Sequence, residues 1–312
     1  MNNKPLIIIA GPTAVGKSDL GVALAKRING EIISADSMQV YKYMDIGTAK
    51  VDDTQKDGIL HHLLDILEPT EDFDVVRFKE MASYAIEDVY SRGKVPIVVG
   101  GTGFYIQALL YDIDFTEEDI DKSLRDSLLN IANEKGNQEL YSILKEEDEL
   151  AAHVLHPNDT KRIIRAIEFK RNHGTSITKH NIEQREKKSP YDFYYFVLND
   201  DREKVYSRID KRVDIMIELG LEKEVKHLLD IGCEASMTSM QGIGYKQILA
   251  SLRGEYDINE AIRLIKRDSR HFAKRQITWF KREKDAIWIN RNEYPDTDSQ
   301  VEYILKTCYY LS

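Results

Sequence analysis

The residues best suited to chemistry lie near the start of the chain, in the segment 11–18. Gly11, Gly16, Lys17 and Ser18 occupy the fixed positions of the pattern G-x-x-x-x-G-K-[ST], which is typical of phosphate-binding loops. Glycines let the backbone turn tightly enough for successive N–H groups to point at one anion. Lys17 adds a mobile cation, and the Ser18 hydroxyl is suited to Mg²⁺. The segment predicts a phosphate site rather than an ordinary glycine turn, but it does not identify the phosphate compound.

Two further polar motifs follow apolar segments that have the character of strands. Asp36 comes directly after the segment 31–34, and its carboxylate is suited to a general base or a Mg²⁺ shell, with a helix N-cap as the alternative. A glycine cluster at 100–103 follows the apolar segment 95–99. Within it, Thr102 is placed to meet a phosphate oxygen, although a tight turn between strand and helix would have the same composition.

The segments between these motifs predict a parallel sheet. An apolar strand at 6–9 is followed by a helix at 19–28 that Gly30 is expected to end, and a third strand is a candidate at 61–66. Apolar residues at helical spacing predict a further helix at 72–92. Strands that alternate with helices form βαβ units, in which ligands bind beyond the carboxyl ends of the strands. We therefore expect the three motifs to meet in one cleft.

The character of the chain changes near residue 115. Residues 116–189 are charged and helical in pattern, and strand character returns at 193–198 and 286–290. The sequence thus predicts an α/β core that is discontinuous, formed by residues 1–115 and 190–312, with an all-helical insertion at 116–189.

Two arginines lie on a helix expected at 202–229 and broken by Gly220. Arg208 and Arg212 are four residues apart and therefore share a helix face. Paired arginines at a cleft can clamp a diphosphate. Taken alone, the pattern favours a solvated face on which the arginines pair with Asp210 or Asp214.

Two basic stretches contrast with the net charge of −9, which argues against a protein covered in cations for nucleic acid. One is the segment 161–165. The other, 262–284, holds nine Lys or Arg against two acids, with aromatic residues interleaved. Cations for phosphates and aromatic planes for unstacked bases are what an RNA surface requires, whereas a charged solvated helix is the usual alternative.

Composition narrows the class of protein further. The chain has 312 residues, of which 42% are hydrophobic and 31% charged, as in a soluble globular protein. Cys233 and Cys308 are too few and too far apart for a zinc site or a disulfide framework, which favours a reducing cytoplasm. We expect neither a signal peptide nor a membrane-spanning segment.

Together, these motifs resemble the tRNA dimethylallyltransferase family. The matching segments span nearly the whole chain in order: Gly11-Pro12-Thr13-Ala14-Val15-Gly16-Lys17-Ser18, Asp36-Ser37-Met38-Gln39-Val40-Tyr41, Gly100-Gly101-Thr102-Gly103-Phe104-Tyr105, His156-Pro157-Asn158-Asp159, Arg165-Ala166-Ile167-Glu168, Gln241-Gly242-Ile243-Gly244-Tyr245 and Ala273-Lys274-Arg275-Gln276-Ile277-Thr278-Trp279. The phosphate loop is generic, but its combination with the second and third segments is highly specific. The C-terminal region lacks the zinc finger of eukaryotic relatives, which points to a bacterial-type enzyme.

The resemblance implies transfer of a dimethylallyl group from dimethylallyl diphosphate to N6 of the adenosine 3′ of the tRNA anticodon. It implies a phosphate-loop, kinase-like core that holds the diphosphate, with Mg²⁺ as cofactor, and an insertion that grips the anticodon stem. By this resemblance Asp36 is the general base, and Thr102 and Lys17 act at the diphosphate. Arg212 aligns with the arginine that binds the diphosphate, although Arg208 remains possible.

The resemblance also supplies the expected binding residues. Those expected at the diphosphate are Gly11, Pro12, Thr13, Ala14, Val15, Gly16, Lys17, Ser18 and Arg208, with Ser18 also expected to bind Mg²⁺. Those expected to contact tRNA are Asp36, Ser37, Met38, Gln39, Thr102, Arg125, Lys161, Arg162, Ile163, Ile164, Arg165, Gln241, Gly242, Ile243, Gly244, Tyr245, Lys246, Lys274, Arg275, Gln276, Ile277, Thr278, Trp279, Phe280 and Lys281. We expect a cytoplasmic monomer.

Two other classes of protein use the same loop. A small-molecule or nucleoside kinase would bind ATP there, and a non-catalytic RNA-binding NTPase switch would couple the loop to RNA. Many nucleotide hydrolases place a Mg²⁺-binding Asp at the end of a strand like the segment 95–99, where this chain has Gly100. The glycine found there weakens both of these alternatives.

Overall fold

The computed structural model describes residues 5–113 and 122–308, which form two compact units. Unit 1 consists of Met1–Leu109 and Tyr191–Ser312, and unit 2 is Leu110–Pro190. The border expected at residues 115–116 lies outside the described residues.

Unit 1 is built around a six-stranded sheet in which every neighbouring pair of strands is parallel. Its strands are β1 Pro5–Ala10, β2 Gly30–Ala35, β3 His61–His62, β4 Val95–Gly100, β5 Asp192–Asn199 and β6 Ala286–Asn290, in the order β3-β2-β4-β1-β5-β6. The predicted α/β fold with a parallel sheet is confirmed.

The helices alternate with these strands in unit 1 and make up unit 2. In chain order they are α1 Lys17–Ile28, α2 Asp53–Lys56, α3 Val75–Ser91, α4 Gly103–Leu110, α5 Lys122–Lys135, α6 Asn137–Glu147, α7 Glu149–Val154, α8 Thr160–His173, α9 Ile177–Arg185, α10 Arg202–Leu219, α11 Leu221–Asp230, α12 Tyr245–Leu252, α13 Ile258–Phe280 and α14 Thr297–Thr307. No helix within 5–113 or 122–308 is long and apolar enough to cross a membrane.

Strand β1 lies in the interior of the sheet, and residues 6–10 are fully buried. Ile7 and Ile9 pack on one face with Leu20 of α1 and Val301 of α14. On the opposite face, Phe280 of α13 meets Tyr195, the β5 residue that pairs with Ile8, and α3 contacts β2 and β4 of the same sheet. Coverage on both faces explains why the strand is a continuous apolar run rather than an alternating one.

Two local expectations were wrong. The C-cap of α1 is Asn29, with φ of 53°, and Gly30 instead begins β2. A Cβ on Gly30 would lie 3.0 Å from the Val95 carbonyl oxygen, so this glycine serves the close approach of two strands. The strand expected at 61–66 stops at His62, because Leu63 and Asp65 adopt positive φ values of 64° and 55°.

Unit 2 has a hydrophobic core of its own. Ile163 and Ile164 of α8 are buried there with Leu128, Leu140 and Leu144. Their side chains therefore face the core, and the expected contact of these two residues with tRNA stays a prediction that falls to their backbone.

A polar cluster ties together two strands and a helix end in unit 1. The Glu31 carboxylate on β2 is 2% exposed and accepts hydrogen bonds from Arg92, from Lys94 Nζ at 2.8 Å and from His62 Nε2 at 2.8 Å. The hydrogen-bonded Arg92 guanidinium is the main reason that the pKa of Glu31 falls to about 2.

We expect Glu31→Gln to destabilise unit 1 by roughly 2–3 kcal/mol at pH 7, because it leaves Arg92 and Lys94 without their shared anion. Since the pKa is depressed from 4.5, the carboxylate stabilises the fold above about pH 4.5 and loses this effect as the pH falls towards 2. Urea unfolding at pH 7 and pH 3, followed by the fluorescence of Trp279 and Trp288 in unit 1, measures both effects.

The matched control is Glu302→Gln, which removes a carboxylate that is 50% exposed and paired with Arg27. Such a pair contributes about 1 kcal/mol or less. Equal midpoints for the two variants would contradict a stabilising role for the Glu31 cluster.

Candidate active site

The phosphate loop joins β1 to α1 and depends on unusual backbone conformations. Gly11, Ala14 and Gly16 have φ values of 146°, 62° and 97°. At Gly11 a Cβ would lie 2.5 Å from the Leu198 carbonyl oxygen, so no other residue fits without movement of the backbone.

Three cations hold the carbonyl groups of this loop. The contacts are Lys17 Nζ to Pro12 O at 2.8 Å, Arg208 Nε to Ala14 O at 2.9 Å, and an Arg291 Nη1 to Val15 O contact of 2.8 Å. Arg208 also donates to Asp200 at 2.7 Å. Arg291 was not predicted: it follows β6, far from the loop in sequence, and nothing in its local sequence distinguishes it.

Gln276 of α13 connects the phosphate loop to the second glycine cluster. Its Oε1 accepts from the Thr13 N–H at 2.9 Å, and its Nε2 donates to Gly101 O at 2.9 Å. The residue is 6% exposed. A residue expected to contact tRNA therefore braces the phosphate loop.

Two cavities within unit 1 meet beside this loop. The first, of about 110 Å³, is lined by Lys17 and Ser18 and extends to His61 and Leu64. The second, of about 420 Å³, includes Thr102. Six residues line both cavities and form their junction: Thr13, Asp36, Thr48, Ala49, Arg212 and Phe272.

Asp36 stands at this junction with its side chain held by backbone groups. Its Oδ1 accepts from the N–H groups of Met38 at 2.9 Å and Gln39 at 3.2 Å. This is the hydrogen-bond pattern of an N-cap, but α2 begins only at Asp53. The carboxylate is thus oriented toward the cavities without capping a helix.

The junction is rich in positive charge. Burial, followed by repulsion from Arg212, lowers the pKa of Lys17 to about 8, while Asp36 opposes the shift. Burial also lowers the pKa of Arg212, against the opposing effect of Asp19. Two partly desolvated cations beside one carboxylate give a site that favours a polyvalent anion.

Arg208 and Arg212 have different surroundings. Arg212 lines both cavities, whereas Arg208 is bound to the loop carbonyl and to Asp200. The alternative of a solvated face is wrong, because Asp210 pairs with Arg270 and Asp214 with Lys266, both on α13.

The second cavity collects many of the residues expected to meet tRNA. Besides Asp36 and Thr102, it is lined by Ser37, Met38, Gln241, Gly242, Ile243, Tyr245, Lys246 and Arg275. Gly244 does not line the cavity, and its N–H donates to Gln247 Oε1. The side chain of Gln39 lines the first cavity.

The charges of α13 fall into two groups. Arg263, Lys266, Arg267 and Arg270 pair with Glu260, Asp214, Asp268 and Asp210, respectively. Further along, Lys274, Arg275 and Thr278 are exposed, as is Lys281 beyond the helix end, and the Arg275 guanidinium lies 5.7 Å from the centroid of the Phe272 ring. The second half of the helix therefore presents the available positive surface.

Not every residue of this stretch faces outward. Phe280 is fully buried against Tyr195, with ring centroids 6.4 Å apart, so its side chain faces the core and its expected contact with tRNA stays a prediction for the backbone. Ile277 is half-buried. Trp279 packs on Gly103, where a Cβ would lie 2.2 Å from its ring, and meets Phe104 edge-on at 6.1 Å.

In unit 2, Lys161, Arg162 and Arg165 are exposed on α8. Arg125 makes a two-pronged ion pair with the buried Glu168, at 2.9 and 2.6 Å. Its guanidinium is thus engaged within the unit.

The fold and site define an α/β protein with a phosphate loop, whose cation-lined cavity opens onto a carboxylate. Family models described as "IPP transferase" and "Isopentenyl transferase" match residues 39–283 and 4–64. The chain belongs to the IPP transferase family, which confirms the family predicted from its motifs.

Individual relatives agree over nearly the full length. The tRNA dimethylallyltransferase of Lachnoclostridium phytofermentans is 55% identical over 303 residues, which cover 97% of each chain. The crystal structure of a tRNA isopentenylpyrophosphate transferase from Bacillus halodurans matches with a TM-score of 0.75 and 39% identity, over 99% of this chain and 97% of that one. The crystal structure of a eukaryotic dimethylallyltransferase described as acting on tRNA matches with a TM-score of 0.79 and 30% identity, over 99% of this chain and 80% of that one.

The Lys17 pKa of about 8 predicts how anion binding depends on pH. Lys17 loses its charge as the pH rises through that value, so affinity for inorganic diphosphate should fall above about pH 8. In Arg212→Gln the repulsion is removed and the pKa of Lys17 rises. The variant should bind diphosphate more weakly at pH 7, and its further loss should begin at a higher pH.

Calorimetric titration of wild type and Arg212→Gln with diphosphate from pH 6 to 10 measures this shift, since protonation of the ligand is common to both proteins. Arg27→Gln, which removes an exposed cation on α1, should reproduce the wild-type profile. Identical pH profiles for wild type and Arg212→Gln would refute the coupling between the two cations.

Proposed function

We propose that this chain transfers the dimethylallyl group of dimethylallyl diphosphate to N6 of the adenosine 3′-adjacent to the anticodon of tRNA and releases diphosphate. The observation that carries this proposal is the position of Asp36 where the two cavities meet, beside Lys17 and Arg212. A carboxylate at the junction can reach both an acceptor nucleotide in one cavity and a prenyl donor in the other.

The donor diphosphate binds at the phosphate loop, next to Lys17, Ser18 and Arg212. As the bond between C1 of the allyl group and oxygen breaks, its electron pair stays with the departing diphosphate. Lys17 and Arg212 stabilise the charge that accumulates there, in a site already partly shielded from water. Arg208 acts indirectly, since it holds the loop and does not line either cavity. Gln276 holds the loop as well but also lines the first cavity.

The residues present fit Mg²⁺ bound mainly through the substrate. Ser18, on the wall of the first cavity, would offer one hydroxyl to the ion, and phosphate oxygens and water would supply the other oxygen ligands. Among residues 5–113 and 122–308 no cluster of three acidic, His or Cys side chains could hold a metal alone. When bound, Mg²⁺ neutralises charge on the diphosphate.

Asp36 supplies the base on the acceptor side. The exocyclic N6 of adenine is a poor nucleophile and must lose a proton as its bond to C1 forms. The Asp36 carboxylate takes this proton. The backbone N–H groups of Met38 and Gln39 donate to its Oδ1 and so fix its orientation. Thr102 lines the second cavity, on the side where the adenine enters.

The target base must leave its stack to reach this cavity, at a cost of a few kcal/mol. A cavity of about 420 Å³ is large enough for an extruded base. Phosphate contacts from the exposed cations Lys274, Arg275 and Lys281 offset that cost, as do those from Lys161, Arg162 and Arg165 in unit 2.

We infer that the protein acts as a monomer. Cys233 and Cys308 are free buried thiols, which suits a reducing compartment, and tRNA as substrate supports a cytoplasmic location.

A kinase function receives no support from the end of β4. A Cβ on Gly100 would lie 2.2 Å from the Ala35 carbonyl oxygen, so no carboxylate can stand at the position where many nucleotide hydrolases bind Mg²⁺.

The proposed function is tested by mixing the protein with Mg²⁺, labelled dimethylallyl diphosphate and unmodified tRNA, then counting label in the RNA. Label should appear in wild type and vanish when the adenosine 3′ of the anticodon is replaced by guanosine. Asp36→Ala should lower turnover by about 10²–10⁴-fold with little change in tRNA affinity, because it removes the base and not the RNA surface. Loss of γ-phosphate from ATP without any labelled RNA would support a kinase instead.

The RNA surface is tested separately through the salt dependence of tRNA binding. Arg275→Ala should weaken binding and reduce the slope of log K against log salt by about one phosphate contact. Arg263→Ala on the same helix is the control, because its charge is already paired with Glu260. If both variants kept the wild-type slope, the positive surface of α13 would not bind the backbone of tRNA.

A further inference from the structure

Glu224 of α11 accepts four hydrogen bonds from elements that are distant in sequence. Its Oε2 accepts from the N–H groups of Asp45 at 2.9 Å and Ile46 at 2.7 Å. Its Oε1 accepts from the Gly47 N–H at 3.0 Å and from the Tyr245 hydroxyl at 2.7 Å. One carboxylate therefore satisfies three successive backbone donors and a side chain of another helix.

Three consecutive N–H groups that converge on one point form an anion-binding nest. Here the anion is part of the protein, and hydrogen bonds to a charged acceptor are about twice as strong as neutral ones. Burial, followed by the charge of Glu224, raises the pKa of Tyr245 well above its usual value, so its hydroxyl remains a donor.

The segment held in this way, residues 45–49, is part of the cavity walls. Gly47, Thr48 and Ala49 line the second cavity, and the last two also form the junction with the first. The ring of Tyr245 lies so close to Gly47 that a Cβ there would be 2.5 Å from it. Glu224 thus joins two parts of the same wall, one from this segment and one from α12.

Other contacts hold the segment from its remaining sides. Gln39 Nε2 donates to Thr48 O at 3.1 Å, and the Thr48 hydroxyl donates to Met44 O at 2.6 Å. Lys50, whose side chain is 3% exposed, donates to Tyr41 O at 2.7 Å and pairs with Asp45 and Asp65. These contacts keep the segment folded, and Glu224 fixes where it lies relative to Tyr245.

We propose that Glu224 is a positioning residue for the acceptor nucleotide: it fixes the 45–49 segment against Tyr245 and so sets the shape of the second cavity. This inference rests on the proposed function, in which that cavity receives the adenine. It assigns Glu224 no contact with either substrate.

The test compares Glu224→Ala with Glu222→Ala. Glu222 lies on the same helix and is paired only with the exposed Lys226 among the described contacts. Hydrogen exchange should be at least about tenfold faster at the amides of residues 45–47 in Glu224→Ala and unchanged in Glu222→Ala. Peptides from β1 and β4 should exchange at the wild-type rate in both variants.

Steady-state kinetics give the second readout. Glu224→Ala should lower kcat/KM for tRNA by about tenfold or more, while KM for dimethylallyl diphosphate stays within about twofold of wild type. Glu224→Gln, which keeps one acceptor oxygen, should have a kcat/KM for tRNA between those of wild type and Glu224→Ala. Loss of folded enzyme alone would lower the single kcat and leave the KM values for both substrates unchanged, whereas the proposal requires a higher KM for tRNA to contribute to the fall in kcat/KM.

Unchanged exchange at residues 45–47 would overturn the proposal, as would faster exchange with wild-type kcat/KM for tRNA. A wild-type protein that binds but does not modify tRNA would refute the proposed function and the acceptor role of Glu224 together. The exchange data would still decide whether the carboxylate holds the segment, so the two failures are distinguishable.

Discussion

The site depends on the parallel pairing of β1, β2 and β4 in one register. Ala10 pairs with Gly100, and Ala35 also pairs with Gly100, so the three strands end at the same level. The phosphate loop, Asp36 and the second glycine cluster follow these ends directly. Backbone hydrogen bonds of the sheet, rather than contacts between the functional side chains, therefore bring the motifs together.

The cations near these strand ends have two kinds of position. Lys17 and Arg212 face the cavities, while Arg208 and Arg291 hold the carbonyl groups of the loop. Their repulsion is tolerated because loop carbonyls, Asp36 and Asp200 lie among them. A polyvalent anion bound beside Lys17 and Arg212 would offset the repulsion between these two cations, which favours diphosphate as a ligand.

The parts of the site that could be predicted are those encoded by neighbouring residues. The pattern around Gly16 and the position of Asp36 after a strand are local in sequence. Gln276, Arg291 and Glu224 could not be assigned their bracing roles, because each acts on a backbone far away in the chain and is of an ordinary type for its helix or loop. The early end of β3 was equally hidden, since Leu63, the first residue after the strand, is not of a type that usually adopts a positive φ.

A different effect buries some apolar side chains of the two basic stretches. Ile163, Ile164 and Phe280 lie in segments defined by their cations, but a helix of 3.6 residues per turn presents only some of its residues to solvent. The apolar members of each stretch turn inward and the cations outward, as the periodicity of the same residues implies.

Helix α13 carries both a brace of the phosphate loop, Gln276, and the exposed cation Arg275 on adjacent positions. If RNA binding at Arg275 shifted this helix, the same shift would strain the hydrogen bond between the Thr13 N–H and Gln276. Binding at the two sites would then be thermodynamically linked, and the linkage would be reciprocal: the factor by which tRNA changed donor affinity would equal the factor by which donor changed tRNA affinity.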